Sequence, residues 1–296
     1  MSNPAQLPDL SPGRFRRFPT RPRYLQLETT LACNAACEFC YQKEVERGPM
    51  RMEETVWRKI IDETRGLGVC YRPFLQNEPL CDNRLEDICA YIKRDPTATV
   101  ELNTNGELLT PERGERLLEI GVELVRFSID GFSQQVYDIT RTGVDRDRVY
   151  TNAQRFCEAA RGTGCRTEVR MIELRANQEE RGQYQQHWEP IADEVQLVPL
   201  YNWPWTGQTP ADVVHRPCLK VLDEMFFYTD GRAALCCWDV HGRGIIGDVR
   251  LEHVLEIWNG PIVGNYRELL AQGRREAILL CSRCDAYGGL KWPECC

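Results

Sequence analysis

Several familiar signals are missing from this chain. None of its 296 residues fall in a run of about 18 apolar positions, the length a membrane-spanning helix needs. The opening MSNPAQLPDLSPGRFRRFPTRPR has no apolar signal core, so the expected location is the cytoplasm. There are only four histidines and none has metal-site spacing, which leaves imidazole-based metal chemistry without support. The net charge is −7, whereas a nucleic-acid surface would favour an excess of Lys and Arg. No internal repeat is visible. Cysteine, by contrast, is abundant, with fifteen in the chain. In a long chain with no secretion signal, that number points to metal or redox chemistry rather than to disulfides.

At 42% hydrophobic the chain can bury a sizeable core. Residues 1–22 are rich in Pro and Arg without periodicity and read as an extension. Strand-like and helix-like segments then alternate. Strands are expected at Tyr24–Glu28, Tyr71–Leu75, Thr99–Asn103, Leu124–Ile129, Thr167–Leu174 and Glu194–Pro199. Helices are expected at Glu53–Leu67, Arg84–Lys93, Pro111–Ile120, Asp147–Gly162 and Gln178–Ile191. This alternation predicts an α/β fold with a parallel sheet and right-handed crossovers, a partial (β/α)6 barrel over 23–200. In such folds reacting groups gather at the C-terminal ends of the strands. From 201 to 296 the pattern changes to a small second domain. There Asp230-Gly231 joins Glu224–Thr229 to Ala233–Cys237 as a hairpin, and helices follow near Leu251–Trp258 and Tyr266–Gly273.

The most informative motif is LETTLACNAACEFCYQ, in which Cys33, Cys37 and Cys40 form C-x3-C-x2-C directly after the first strand. Three thiolates so spaced suit three irons of a [4Fe-4S] cubane and leave the fourth open to a small molecule. A structural zinc site would instead be closed by four ligands. The spacing resembles the radical S-adenosylmethionine (SAM) superfamily. The resemblance implies that SAM chelates the open iron and is reductively cleaved to a 5′-deoxyadenosyl radical, with an external electron donor of flavodoxin or ferredoxin type. It also implies cofactor roles for Phe39 against adenine, and for Asn77 and Glu78 in the turn where the superfamily carries Gly-Gly-Glu-Pro. The two glycines are here Gln76 and Asn77. Asn105 and Ser128, at later strand ends, resemble residues that bond the ribose or carboxylate of SAM. Either also suits a turn, since Asn-Gly and Asp-Gly are turn dipeptides. Arg141 matches arginines that pair with the SAM carboxylate, with a solvated surface role as its alternative.

A second set, Cys218, Cys236, Cys281 and Cys284, resembles the auxiliary modules called SPASM and, in shortened form, Twitch. The stretch after Cys284 fits the shorter form. Four thiolates would close a second [4Fe-4S] cluster, although zinc would accept the same set. The spacing is similar to that of aminoglycoside-pathway 2-deoxy-scyllo-inosamine dehydrogenases, and a cysteine after a cluster ligand resembles the thiol that neomycin epimerases use. That points to an aminoglycoside or aminocyclitol substrate.

Cys237 is the candidate catalytic residue. It follows a cluster ligand, and successive strand residues face opposite ways, so its thiol would turn toward the barrel mouth. There it could return a hydrogen atom to a substrate radical, making the chain an epimerase. A plain buried thiol is the alternative. Dehydrogenation of a secondary alcohol and epimerisation of a ribosomal peptide are rival outcomes. Cys70, Cys81, Cys89, Cys157 and Cys165 read as core, and Cys295 and Cys296 as a frayed tail. Trp203, Trp205 and Trp238 are candidates for stacking on a sugar. Glu28, Asp130 and Asp239 are candidates for binding a cationic aminosugar.

Overall fold

A computed structural model describes residues 18–200, 218–282 and 284. The barrel half runs β1 (Tyr24–Leu27), α1 (Glu54–Glu63), β2 (Cys70–Arg72), α2 (Leu85–Ile92), β3 (Thr99–Thr104), α3 (Pro111–Ile120) and β4 (Leu124–Ser128). It continues through α4 (Gln134–Thr140), α5 (Arg146–Ala160), β5 (Arg166–Glu173), α6 (Arg181–Trp188) and β6 (Glu194–Pro199). The second half holds α7 (Leu219–Asp223), β7 (Glu224–Phe227), β8 (Arg232–Ala234), β9 (Ile245–Asp248), α8 (Val254–Trp258) and α9 (Pro261–Ala271).

The strands form one open sheet in the order β6-β5-β4-β3-β2-β1-β7-β8-β9. The six barrel strands are mutually parallel, as the crossovers require. β7 continues this parallel array beside β1, with Leu25 opposite Met225, so the two halves share one sheet. The expected hairpin is present: β7 and β8 pair antiparallel, and Gly231 turns between them at φ +85°.

Side-chain alternation divides the sheet into two chemically different faces. On β3, Val100, Leu102 and Thr104 are buried while Glu101 and Asn103 are half-buried. Leu25, Leu27, Val100, Leu102, Val125, Phe127, Val169 and Met171 join Ile88, Leu117 and Val149 of the helices in one apolar core. The other face is polar. Across it Arg72 meets Glu101 at 2.8 Å, and Arg126 meets Glu168 at 2.6 Å and Asn103 at 2.9 Å.

In the second half β8 ends at Ala234 and α9 begins at Pro261, ahead of the expected Tyr266, and three segments of the barrel half also differ from expectation. The helix begun near Glu53 stops at Glu63, where the Thr64 hydroxyl caps the Ile60 carbonyl at 2.7 Å and the chain turns off through Gly66 and Gly68. The second strand is only Cys70–Arg72, because Phe74 N bonds back to Arg72 O and starts a turn. Helix α4 was not anticipated; Ser133 opens it by accepting from Val136 N.

Candidate functional site

A cavity of about 410 Å³ opens on the polar face at the C-terminal ends of β1–β5. It gathers Cys33, Phe39, Cys37 and Cys40 from the loop after β1, and Asn77 and Glu78 from the loop after β2. Asn105 follows β3, Ser128 ends β4, and Arg141 caps α4. Cys237 and Trp238 reach the same cavity from the second half. The barrel residues expected to hold the cluster or SAM therefore line one space, together with Cys237.

Local hydrogen bonding shapes the triplet loop. Ala35 N donates to Cys33 Sγ and Gln42 N to Cys40 Sγ, each at 3.5 Å. The loop docks on the turn after α4 through Ala36 N to Thr142 O at 2.8 Å. Gly143, at φ +88°, lies under that contact, and a Cβ there would stand 3.3 Å from the Asn34 carbonyl. Burial pushes the Cys33 thiol up to about 12, with the charges of Glu78, Cys40 and Cys37 adding to the effect. Burial also raises Cys40. Such thiols stay protonated until a cation is offered, and binding iron would then displace their protons.

Glu78 is buried and accepts from Leu80 N at 3.1 Å, Thr104 Oγ1 at 2.6 Å and Asn105 N at 2.7 Å. It thereby ties the β2 loop to the end of β3. Burial lifts its carboxyl above the usual range, against the pull of those donors. Asn105 spends its amide within the protein, donating to Asn34 at 2.8 Å and accepting from Glu107 N at 3.0 Å. Asn77 accepts from Leu75 N at 2.8 Å, while its Nδ2 is buried without a partner among the described residues. That orphaned donor beside three thiols fits a site shaped to take a polar ligand.

Arg141 is not at the surface. Its guanidinium binds Asp130 at 2.5 Å and reaches Cys37 Sγ at 3.7 Å. Burial works against its charge, but Asp130 and Cys37 outweigh that and hold it firmly protonated. The three carboxylates expected to meet a cationic sugar are all engaged inside the protein, which corrects that reading. Glu28 pairs with Arg47, Asp130 with Arg141 and Ile172 N, and Asp239 with the backbone of Arg243 and Gly244.

In the second half, β8 ends at Ala234, so Cys236 and Cys237 sit in a turn and not on alternating strand positions. Within that turn Trp238 N donates to Cys236 Sγ at 3.4 Å. Cys237 lies within hydrogen-bonding reach of Cys236, which holds the Cys236 thiol down. Burial and the neighbouring Cys218 and Cys284 outweigh this and raise it. Burial raises Cys281 as well, with Cys218 and Cys284 adding to it, so the four thiols of the second set share one electrostatic neighbourhood. Arg275 clamps their C-x2-C loop, donating to the carbonyls of Cys281 and Cys284 at 2.8 Å each. Among the described residues, no three His, Cys, Asp or Glu side chains are arranged around a single ion. A cubane instead spreads its ligands over separate irons.

Cys70, Cys89, Cys157 and Cys165 are buried and Cys81 is half-buried. Cys295, Cys296, Trp203 and Trp205 lie outside the described residues. Sequence reasoning missed the contacts that Gln76 and Arg47 make across the two halves. Gln76 Nε2 donates to Cys237 O at 2.6 Å. Arg47 binds Glu28, the Val240 carbonyl at 3.0 Å and the Tyr228 ring at 3.5 Å. The substitution of glycine by Gln76 in the turn was the one available hint.

Comparison with known proteins agrees with this geometry. The radical SAM superfamily model matches residues 27–172, and that of the SPASM iron-sulfur cluster-binding domain matches 218–285. A tungsten-containing aldehyde ferredoxin oxidoreductase cofactor-modifying protein of Pyrococcus furiosus is 34% identical over 110 residues, 36% of this chain and 31% of that protein. The chain thus spans about a third of the length of this curated relative. In fold, the chain is similar to BtrN in complex with AdoMet and 2-DOIA, at TM-score 0.64 and 17% identity over 90% of this chain and 93% of BtrN. It is also similar to Streptococcus suis SuiB bound to precursor peptide SuiA, at TM-score 0.62 and 15% identity over 84% and 67%.

Proposed function

The chain belongs to the radical SAM superfamily and carries a SPASM-type iron–sulfur domain, and on that premise we propose that it is an epimerase acting on one carbon of an aminoglycoside or aminocyclitol. The observation that supports this reading is that Cys237 lines the same cavity as Cys33, Cys37 and Cys40.

When bound, the cluster and SAM supply a one-electron cleavage whose 5′-deoxyadenosyl radical removes hydrogen from the substrate carbon. Cys33, Cys37 and Cys40 are the residues that would hold that cluster. Phe39, Asn77, Glu78, Asn105 and Ser128 would shape the SAM site. In this role Glu78 acts chiefly by fixing Thr104 and Asn105, and the orphaned Asn77 amide is the donor left to meet the ligand.

Cys237 then gives its S–H hydrogen to the opposite face of the substrate carbon. The C–H bond that forms is stronger than the S–H bond that breaks. The sulfur left behind needs one electron and one proton to return to the thiol. Cys218, Cys236, Cys281 and Cys284 would hold the group through which that electron passes, and Cys236 adjoins Cys237. An external one-electron donor of flavodoxin or ferredoxin type supplies it.

Dehydrogenation is the second reading, favoured by the likeness to BtrN and by the same junction, through which a substrate radical could lose its electron instead. The likeness to SuiB keeps a peptide substrate as a third. The Cys237→Ala variant tests the proposal. It should still form 5′-deoxyadenosine in the presence of substrate but yield no inverted product; continued inversion would remove the assigned donor.

A further inference from the structure

We propose that Arg141 is a positioning residue that raises the reduction potential of the cluster held by Cys33, Cys37 and Cys40, acting through its contact with the Cys37 sulfur. The inference rests on the presence of that cluster and not on the epimerase reading.

Three observations carry it. First, Arg141 Nη1 stands 3.7 Å from Cys37 Sγ, within hydrogen-bonding range of a sulfur acceptor. Second, the guanidinium is fixed in place. Its Nε and Nη2 both bind Asp130 Oδ2, at 2.6 and 2.5 Å, and Asp130 is itself held by Ile172 N at 2.6 Å. Third, the pair is shielded from water, with side-chain exposures of 11% for Arg141 and 1% for Asp130. Screening by solvent and salt is therefore weak at this point.

The polarity of the pair matters as much as its presence. Asp130 takes the Nε–Nη2 edge of the fork, leaving Nη1 for the sulfur. The positive end of the pair thus rests on the cluster ligand, and the carboxylate on the far edge offsets it only in part there. Adding an electron to an iron–sulfur cluster increases the negative charge carried by its sulfurs. A donor held against one of those sulfurs favours the reduced form more than the oxidised one, and the potential rises. The same geometry gives Arg141 a reason for burial that pairing with the SAM carboxylate would not require.

The test is a redox titration of the anaerobically reconstituted holoprotein without SAM, followed by electron paramagnetic resonance. The SAM-binding cluster is identified separately, by the change in its signal when SAM is added. Arg141→Gln should shift the one-electron equilibrium about tenfold toward the oxidised form, a fall of roughly 59 mV. Arg141→Lys, which keeps the charge but not the fork, should fall less. The auxiliary cluster should keep its potential in both variants. An Arg141→Gln protein with the wild-type potential overturns the proposal, even if its affinity for SAM is reduced. Equal shifts of both clusters also overturn it, since they would mark a general structural effect. If Arg141→Gln fails to take up iron, Asp130→Asn decides. It removes the opposing charge and leaves the guanidinium an oxygen acceptor, with the new NH2 turned to the Ile172 N side, so the potential should rise; no change or a fall contradicts the account.

Discussion

The side-chain amide of Gln76 donates to the backbone carbonyl of Cys237 at 2.6 Å, joining positions 161 residues apart. Gln76 sits in the loop after β2 that also carries Asn77 and Glu78, so one loop borders the proposed SAM site and grips the peptide bearing the proposed hydrogen donor. Losing a buried hydrogen bond of this kind is worth about 1 kcal/mol or somewhat more, roughly tenfold in an equilibrium. Gln76→Ala should therefore keep both clusters and still cleave SAM, while product formed per 5′-deoxyadenosine falls about tenfold. Quantifying both compounds in the same reaction checks this, and an unchanged ratio would separate the contact from the chemistry.

The Glu78 carboxylate accepts from three donors among the described residues. A Gln at this position would turn an NH2 group against one of those donors and disturb Thr104 and Asn105. Binding of SAM to the reconstituted Glu78→Gln protein should weaken by about tenfold, the cost of one buried mismatch. Calorimetric titration measures it, and wild-type affinity would show that the loop tolerates the change.

Arg47 and Glu28 form a buried ion pair that joins the loop after the cysteine triplet to the end of β1 and, through Val240 and Tyr228, to the second half. Arg47→Met strands the carboxylate, and breaking such a pair costs about 3–5 kcal/mol. Burial already holds Glu28 above the ordinary carboxylate range even with Arg47 pulling it down, and without Arg47 it would rise further. A carboxyl raised in the folded state contributes stability below its unfolded pKa and loses it as pH rises through the folded value. The gap in melting temperature between wild type and Arg47→Met should therefore narrow from neutral pH toward about pH 5. A gap that widens on acidification would contradict the pairing.

The barrel was readable because its strands end at strong turn signals and its helices keep one apolar stripe. Pro111–Ile120 and Glu194–Pro199 appear with the boundaries the pattern implies. Helix α4 was not readable, since a short QQVYDIT segment has too few apolar repeats to stand out. Cysteine spacing was enough to nominate both thiol sets. It could not reveal that Glu28, Asp130 and Asp239 are engaged by Arg47, Arg141 and backbone amides, because burial of a carboxylate depends on distant partners. For the same reason it missed the pairing of β1 with β7 and the reach of Gln76 to Cys237.

Arg275 holds the carbonyls of Cys281 and Cys284 from a buried position. Arg275→Ala should loosen that loop and drop the auxiliary cluster selectively, taking iron per chain toward about half, because a site that is not preformed loses metal affinity. Iron analysis, with spectroscopy of the remaining SAM-binding cluster, checks this. Full iron content would mean the clamp is dispensable.

The central claim is that Cys237 returns a hydrogen atom to the substrate carbon. Its thiol exchanges with solvent, so turnover in D2O reads that step directly. With the aminocyclitol or aminoglycoside substrate, mass and NMR analysis should find inverted product carrying one deuterium at the inverted carbon. Product that has lost two hydrogens and carries no deuterium would instead make the enzyme a dehydrogenase and contradict the account.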